Sequence, residues 1–204
     1  MVFNTNNTIN SHKISIAPMM DCTDKHFRMI MRQITSKALL YSEMIVAQSL
    51  CFSNKKEKFL DFNKEEHPIS IQFGGDDPAL LKEAAKMAKE WGYDEINFNV
   101  GCPSPRVSSG NFGASLMNYP CKVAKCIESL KNNSDLPITI KHRIGVDKND
   151  TFSNLNNFVR DIKLAGADRF IVHARKAILQ GLSPKDNRKI PPLRYDVVQE
   201  LKEK

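Results

Sequence analysis

Six short β-rich runs, each followed by a helical pattern, constrain this chain more than any other feature of its sequence. The runs cover residues 14–17, 38–42, 69–73, 95–99, 137–141 and 169–173 and have strand lengths and strand composition. Between them, Phe27, Ile30, Met31 and Ile34 recur at the i, i+3, i+4, i+7 spacing, as do Leu155, Phe158, Val159 and Ile162. Each set predicts an amphipathic helix that lays one apolar face on a sheet. Asp77 followed by Pro78 predicts the N-cap and first turn of a helix running through Leu81, Ala84, Ala85 and Ala88 to Trp91, with Gly92 as its stop; Gly166 ends the Leu155 helix in the same way.

Strands that alternate with helices build a parallel sheet, either open and doubly wound or closed as a (β/α)₈ barrel. The strand faces favour the barrel. In the fourth run Ile96, Phe98 and Val100 share one face while Asn97 and Asn99 share the other, and Lys141 and Arg143 project together from the fifth, so polar groups gather at strand C-termini. A Rossmann sheet would show a GxGxxG turn after its first strand, and no GxG occurs in this chain. The expected fold is therefore α/β, a TIM (β/α)₈-type barrel with its active groups on the C-terminal rim. Such a barrel takes about 250 residues. With 204 residues and six βα units, this one is expected to be incomplete, with a disordered polar tail over 1–12 and a partial barrel over 13–204.

Composition adds limits. Thirty Lys and Arg against 23 Asp and Glu give a formal charge of +7, which favours a polyanionic partner. The Asn-rich start lacks a signal-peptide h-region and no apolar run is long enough to span a membrane, so a cytoplasmic protein is expected. Five cysteines form no CxxC pair and no zinc spacing, so they are read as free thiols, with no metal site.

Each strand end carries a polar or reactive group: Met19 and Met20, Gln72, Asn99 and Cys102, Lys141 and Arg143, His173 and Arg175. Cys102 stands on a Gly-Cys-Pro turn that lifts the thiol to the rim. A thiol with an ordinary pKa of about 8.5 is mostly protonated at neutral pH and serves as a general acid as well as a nucleophile; the plain alternative is a packing cysteine. Lys141, Arg143, His173 and Arg175 form an i, i+2 pair on each of two successive strands, the wall expected around a phosphate or a flavin. Gln72 suits a hydrogen-bonding ring edge, although a backbone-satisfied rim glutamine is an equal alternative. The stretch 104–113 has the composition of a lid beside Cys102. Lys185, Arg188 and Lys189 fall on a loop suited to nucleic-acid phosphates, or to solvent alone.

These residues lie in segments that strongly resemble the tRNA-dihydrouridine synthases: APMMDCTDKHFR at 17–28, YSEM at 41–44, HPISIQFGG at 67–75, YDEINFNVGCPSPRV at 93–107, GNFGASLM at 110–117, KHRIG at 141–145 and HARKAILQGLSPKDNRKIPPLRY at 173–195. The last segment is similar to the branch acting on uridines 20 and 20a. The resemblance implies that Pro18, Met19, Met20, Gln72, Lys141 and His173 contact FMN, that Cys102 donates a proton, and that Asn99, Lys185 and Arg188 touch tRNA. It implies NADPH as reductant, the tRNA D-loop as partner, no metal, no membrane and a monomer. Cys22 departs from the family, whose members usually carry an aromatic residue there. Family members also continue through two more βα units, whose loops clamp the FMN phosphate, and a helical domain that grips tRNA, so the chain is expected to be C-terminally truncated and to hold FMN weakly. The competing expectations are an FMN barrel acting on a free pyrimidine and a non-catalytic tRNA-binding chain.

Overall fold

The computed structural model describes residues 13–204; the tail expected over 1–12 lies outside the described residues. Six strands, β1 (Ser15–Ile16), β2 (Leu39–Val46), β3 (Ile69–Gly74), β4 (Glu95–Val100), β5 (Ile138–Arg143) and β6 (Arg169–His173), form one sheet. Their spatial order is their sequence order, and every neighbouring pair is parallel. No described strand pairs β6 with β1, so the sheet is a half-barrel.

The helices are α1 (Lys25–Ile34), α2 (Ala47–Phe52), α3 (Glu57–Leu60), α4 (Pro78–Glu90), α5 (Pro105–Ser109), α6 (Pro120–Asn132), α7 (Phe152–Leu164) and α8 (Tyr195–Glu203). Helix α2 packs on α4, α4 on α6 and α6 on α7, a single layer that winds in one direction along the sheet. Asp77 caps α4 by accepting the Ala79 N–H at 2.8 Å, and Gly92 ends it at φ +84°, as its sequence predicts. Helix α7 likewise ends before Gly166, at φ +105°.

The apolar core lies between the strands and this helix layer. Ile71, Phe73, Ile96, Phe98, Ile138 and Ile140 are all fully buried against it, with Leu81, Ala84, Val123, Ile127 and Ile162 from the helices. The opposite strand faces line the inside of the arc, and they are polar. Register places Ser70 beside Glu95, Gln72 beside Asn97, Asn97 beside Thr139, Asn99 beside Lys141 and Arg143 beside His173, so the inner groups meet in layers.

Helix α1 departs from the expected packing. Ile30 and Ile34 are 62% and 72% exposed, while Arg28 is 4% exposed. The Arg28 Nε donates to Glu66 Oε2 at 2.5 Å and its Nη1 to Thr23 O at 2.8 Å; Arg32, one turn on, donates to Thr35 O, Ala38 O, Glu66 O and Pro68 O. These charge-assisted bonds turn the arginine face inward and leave Ile30 and Ile34 outside, with Phe27 and Met31 half-buried. The stretch 104–113 is also more than an open loop: it contains α5 and buries Val107 and Phe112.

Candidate active site

The site is built from the floor of the arc upward. Glu95, 3% exposed, accepts hydrogen bonds from Tyr41 Oη at 3.1 Å, Ser70 Oγ at 3.0 Å and Thr139 Oγ1 at 2.8 Å, and pairs with Arg169. Four donors from four strands satisfy this buried carboxylate, without which its burial would be prohibitive. The next layer is a chain of amides. Gln72 Nε2 donates to Asn97 Oδ1 at 2.7 Å, Asn97 Nδ2 to Thr139 Oγ1 at 2.8 Å, and Asn99 Nδ2 to Gln72 Oε1 at 2.9 Å. Gln72 therefore keeps one N–H and one lone pair beyond this chain.

Asn99 joins the floor to the Cys102 turn. Its Oδ1 accepts the Gly101 N–H at 3.1 Å and the Cys102 N–H at 3.0 Å, an Asx-type closure that makes the main chain leave β4 sharply. The turn is held from above as well, where the Ala114 N–H donates to Cys102 O at 2.9 Å. That approach requires glycine at 113, at φ +71°, since a Cβ there would meet Cys102 O at 2.6 Å and Val107 Cγ1 at 2.4 Å. Asn99, expected to touch tRNA, is 8% exposed and is placed beneath the Cys102 turn.

Lys141 and Arg143 stand beside that turn. Burial lowers the Lys141 ammonium to about 8, with Arg143 pushing in the same direction and Cys102 opposing. Burial lowers Arg143 to about 10 and brings the half-buried His173 to about 4, with Arg143, Lys141, Arg175 and Arg188 all disfavouring its charged form. Lys141 forms no ion pair among the described residues. A buried cation with another cation beside it, in register with Asn99 of the amide chain, suits an anionic, hydrogen-bonding group such as a reduced flavin ring.

The remaining expected groups lie on the segments that follow β1 and β6. Pro18 and Met19 are half-buried and Met20 is 50% exposed, on the loop after β1. Thr23 closes that loop, its Oγ1 accepting from Met19 N at 3.1 Å and donating to Met19 O at 3.2 Å. Lys185 and Arg188 are exposed at the two ends of a 3₁₀ turn, Asp186–Arg188. Sequence reasoning missed Asn187 between them, along with Thr139, Thr23 and the Glu95 cluster. Alternation in β4 does point to Asn97 and Glu95 on the inner face, but nothing in the local pattern marks Asn187.

Residues 15–204 match the family model described as dihydrouridine synthase (Dus). The chain belongs to the dihydrouridine synthase family. It is 55% identical to a tRNA-dihydrouridine(20/20a) synthase of Synechocystis sp. over 189 residues, covering 93% of this chain and 56% of that one. Proteins of the same name from Shewanella oneidensis and Xanthomonas axonopodis pv. citri are 48% and 47% identical, over 96% and 100% of this chain and 59% and 60% of theirs. The chain thus spans somewhat more than half the length of these family members. Among the described residues no helix is long and apolar enough to cross a membrane, and no cluster of His, Cys, Asp and Glu could hold a metal ion.

Proposed function

We propose that this dihydrouridine synthase chain carries the catalytic centre for the reduction of uridine to 5,6-dihydrouridine in the D-loop of tRNA, at positions 20 and 20a, with FMN as cofactor and NADPH as reductant. The half-barrel is then the larger part of an eight-stranded (β/α)₈ barrel whose C-terminal rim bears the site. The observation that carries the reading is the Cys102 turn, pinned by Asn99 and Ala114 beside the uncompensated Lys141 charge.

When bound, FMN supplies the hydride that reduces C6 of the uracil ring. Lys141 and His173, with Pro18, Met19, Met20 and Gln72, are the residues that would hold it. The Lys141 ammonium would balance negative charge on the bound ring, and the N–H and lone pair that Gln72 keeps would orient it. Cys102 gives its proton to C5. A uridine inside folded tRNA reaches this turn only when extruded, and the exposed Lys185 and Arg188 hold the neighbouring backbone phosphates. Asn99, tied to the Cys102 turn at the end of β4, is the third residue read as touching the tRNA.

The test is incubation of the protein with FMN, NADPH and unmodified tRNA, with dihydrouridine read by mass spectrometry of the nucleosides. Product is expected from the wild type and is abolished in Cys102→Ala, while flavin affinity stays within about threefold, since the thiol supplies a proton and no flavin contact. Undiminished product from Cys102→Ala would remove the assigned proton donor.

A further inference from the structure

Two buried polar side chains at the rim have no part in the chemistry just described. Arg143 is 3% exposed and Asn187 is fully buried. Arg143 leaves the C-terminal end of β5, where its Nε donates to Gly101 O at 3.2 Å, the carbonyl immediately before Cys102. Its Nη1 donates to Lys176 O at 3.2 Å and to Asn187 O at 2.9 Å. One guanidinium therefore binds carbonyls from the turn after β4 and from the long segment after β6.

Asn187 organises that second segment from within. Its Oδ1 accepts the Ile178 N–H at 2.8 Å, and its Nδ2 donates to Ile178 O at 2.9 Å, so its side chain closes residues 178–187 into a ring. Further Nδ2 contacts reach Ser183 O at 3.3 Å and Leu182 O at 3.4 Å. The base of the ring is fastened to the loop after β5, where the Leu179 N–H donates to Asp147 Oδ1 at 2.9 Å and Lys176 pairs with Asp150 at 2.9 Å. Lys185 and Arg188 are carried on the outside of this closed ring, and Arg143 is the strut between it and Gly101.

We propose that Arg143 and Asn187 form a clasp that fixes the spacing between the Cys102 turn and the Lys185 and Arg188 turn, so that RNA held by the basic turn meets the proton donor in register. The proposal rests on the tRNA reading above and makes both residues positioning residues. The planar fork of arginine is what the job requires, because one head must satisfy acceptors in different directions at fixed separation. A lysine keeps the charge and loses that geometry. Displacing a reacting group by about 1 Å costs on the order of a hundredfold in rate.

The experiment compares the wild type with Arg143→Lys, Asn187→Ala and the double variant Lys185→Gln, Arg188→Gln. Four quantities are read: kcat, KM for tRNA, the salt dependence of tRNA binding, and the rate at which iodoacetamide alkylates Cys102 in the free protein, by peptide mapping. Arg143→Lys is expected to lower kcat by about a hundredfold with the salt slope unchanged, and to change Cys102 alkylation more than about threefold as the Gly101 anchor is lost. Lys185→Gln with Arg188→Gln is expected to show the opposite split, with raised KM, a shallower salt slope and unchanged alkylation. Arg143→Lys with wild-type kcat and alkylation overturns the proposal. So does a raised KM with a shallower salt slope, which would make Arg143 a direct phosphate contact. Should the variants not fold, amide exchange in the wild type decides: Ile178 and Ala114 are expected to be protected together, and exchange of Ile178 at an open-loop rate overturns the clasp. If the wild type forms no dihydrouridine, the functional reading fails, while alkylation and exchange still test the clasp.

Discussion

Lys141 keeps its charge at a cost, and the cost gives it a pH signature. Its ammonium is lowered from 10.5 to about 8, so the folded chain disfavours the charged form. That penalty on stability is fully present below pH 8 and is relieved as pH rises from 8 towards 10.5, where the unfolded chain binds the extra proton. An anionic group bound beside Lys141 reverses the preference. Affinity for reduced FMN, whose ring is anionic, is therefore expected to be flat below pH 8 and to weaken above it, by at most about tenfold per pH unit, whereas Lys141→Met binds it weakly with little pH dependence. Anaerobic titration of dithionite-reduced FMN at pH 7 and pH 9, followed by absorbance, checks both statements. At the same scale, Gly113→Ala is expected to destabilise the chain by about 1–3 kcal/mol and to lower dihydrouridine formation, because the new methyl meets Cys102 O at 2.6 Å; thermal unfolding and product assays separate the two effects.

At the scale of elements, β4 shows how one strand serves two environments. Its outer face, Ile96, Phe98 and Val100, is fully buried against the helices, and its inner face holds Glu95, Asn97 and Asn99 in the polar network. Phe98→Ala is expected to cost about 3–5 kcal/mol through the cavity that it leaves, measured by denaturant unfolding. Helix α1 illustrates the converse. Its periodic apolar stripe met the requirement for an amphipathic helix, yet Ile30 and Ile34 remained exposed and Phe27 and Met31 only half-buried, because Arg28 and Arg32 found carboxylate and carbonyl partners beneath the helix. The segment after β6 likewise reads as a charged loop in sequence, yet the Asn187 side chain closes it into a ring.

The described residues form an arc of six parallel strands with an apolar core on its outer side and a polar lining. Two histidines make that architecture sensitive to acid. His142 is buried between Phe158 and Phe170, its Nδ1 donating to Arg143 O at 2.7 Å and its Nε2 unpartnered, and burial lowers it to about 4. His173 is lowered to about 4 as well. Both folded values lie below the ordinary 6.5, so the unfolded chain binds more protons between them. Stability from these groups is fully present above pH 6.5 and is lost as pH falls from 6.5 to 4, on the order of 3 kcal/mol for His142 alone. Urea unfolding at pH 7, 5.5 and 4.5 is expected to show a falling midpoint, and His142→Leu is expected to flatten the fall.

The sequence by itself determined the number and order of strands, the ends of α4 and α7, the two faces of β4 and the Cys102 turn. All of these follow from periodicity and from Gly, Pro and Asp at fixed local offsets, which act within a few residues. Only the tertiary structure decided the face on which α1 lies, the tie of Asn99 to Gln72 and the clasp of Arg143 with Asn187. Those outcomes depend on which buried donor meets which acceptor. Arg28 and Glu66 are 38 residues apart, and Arg143 and Asn187 are 44 apart, separations that no local pattern encodes. Burial makes each such partner obligatory, and the folded chain alone brings the partners within reach.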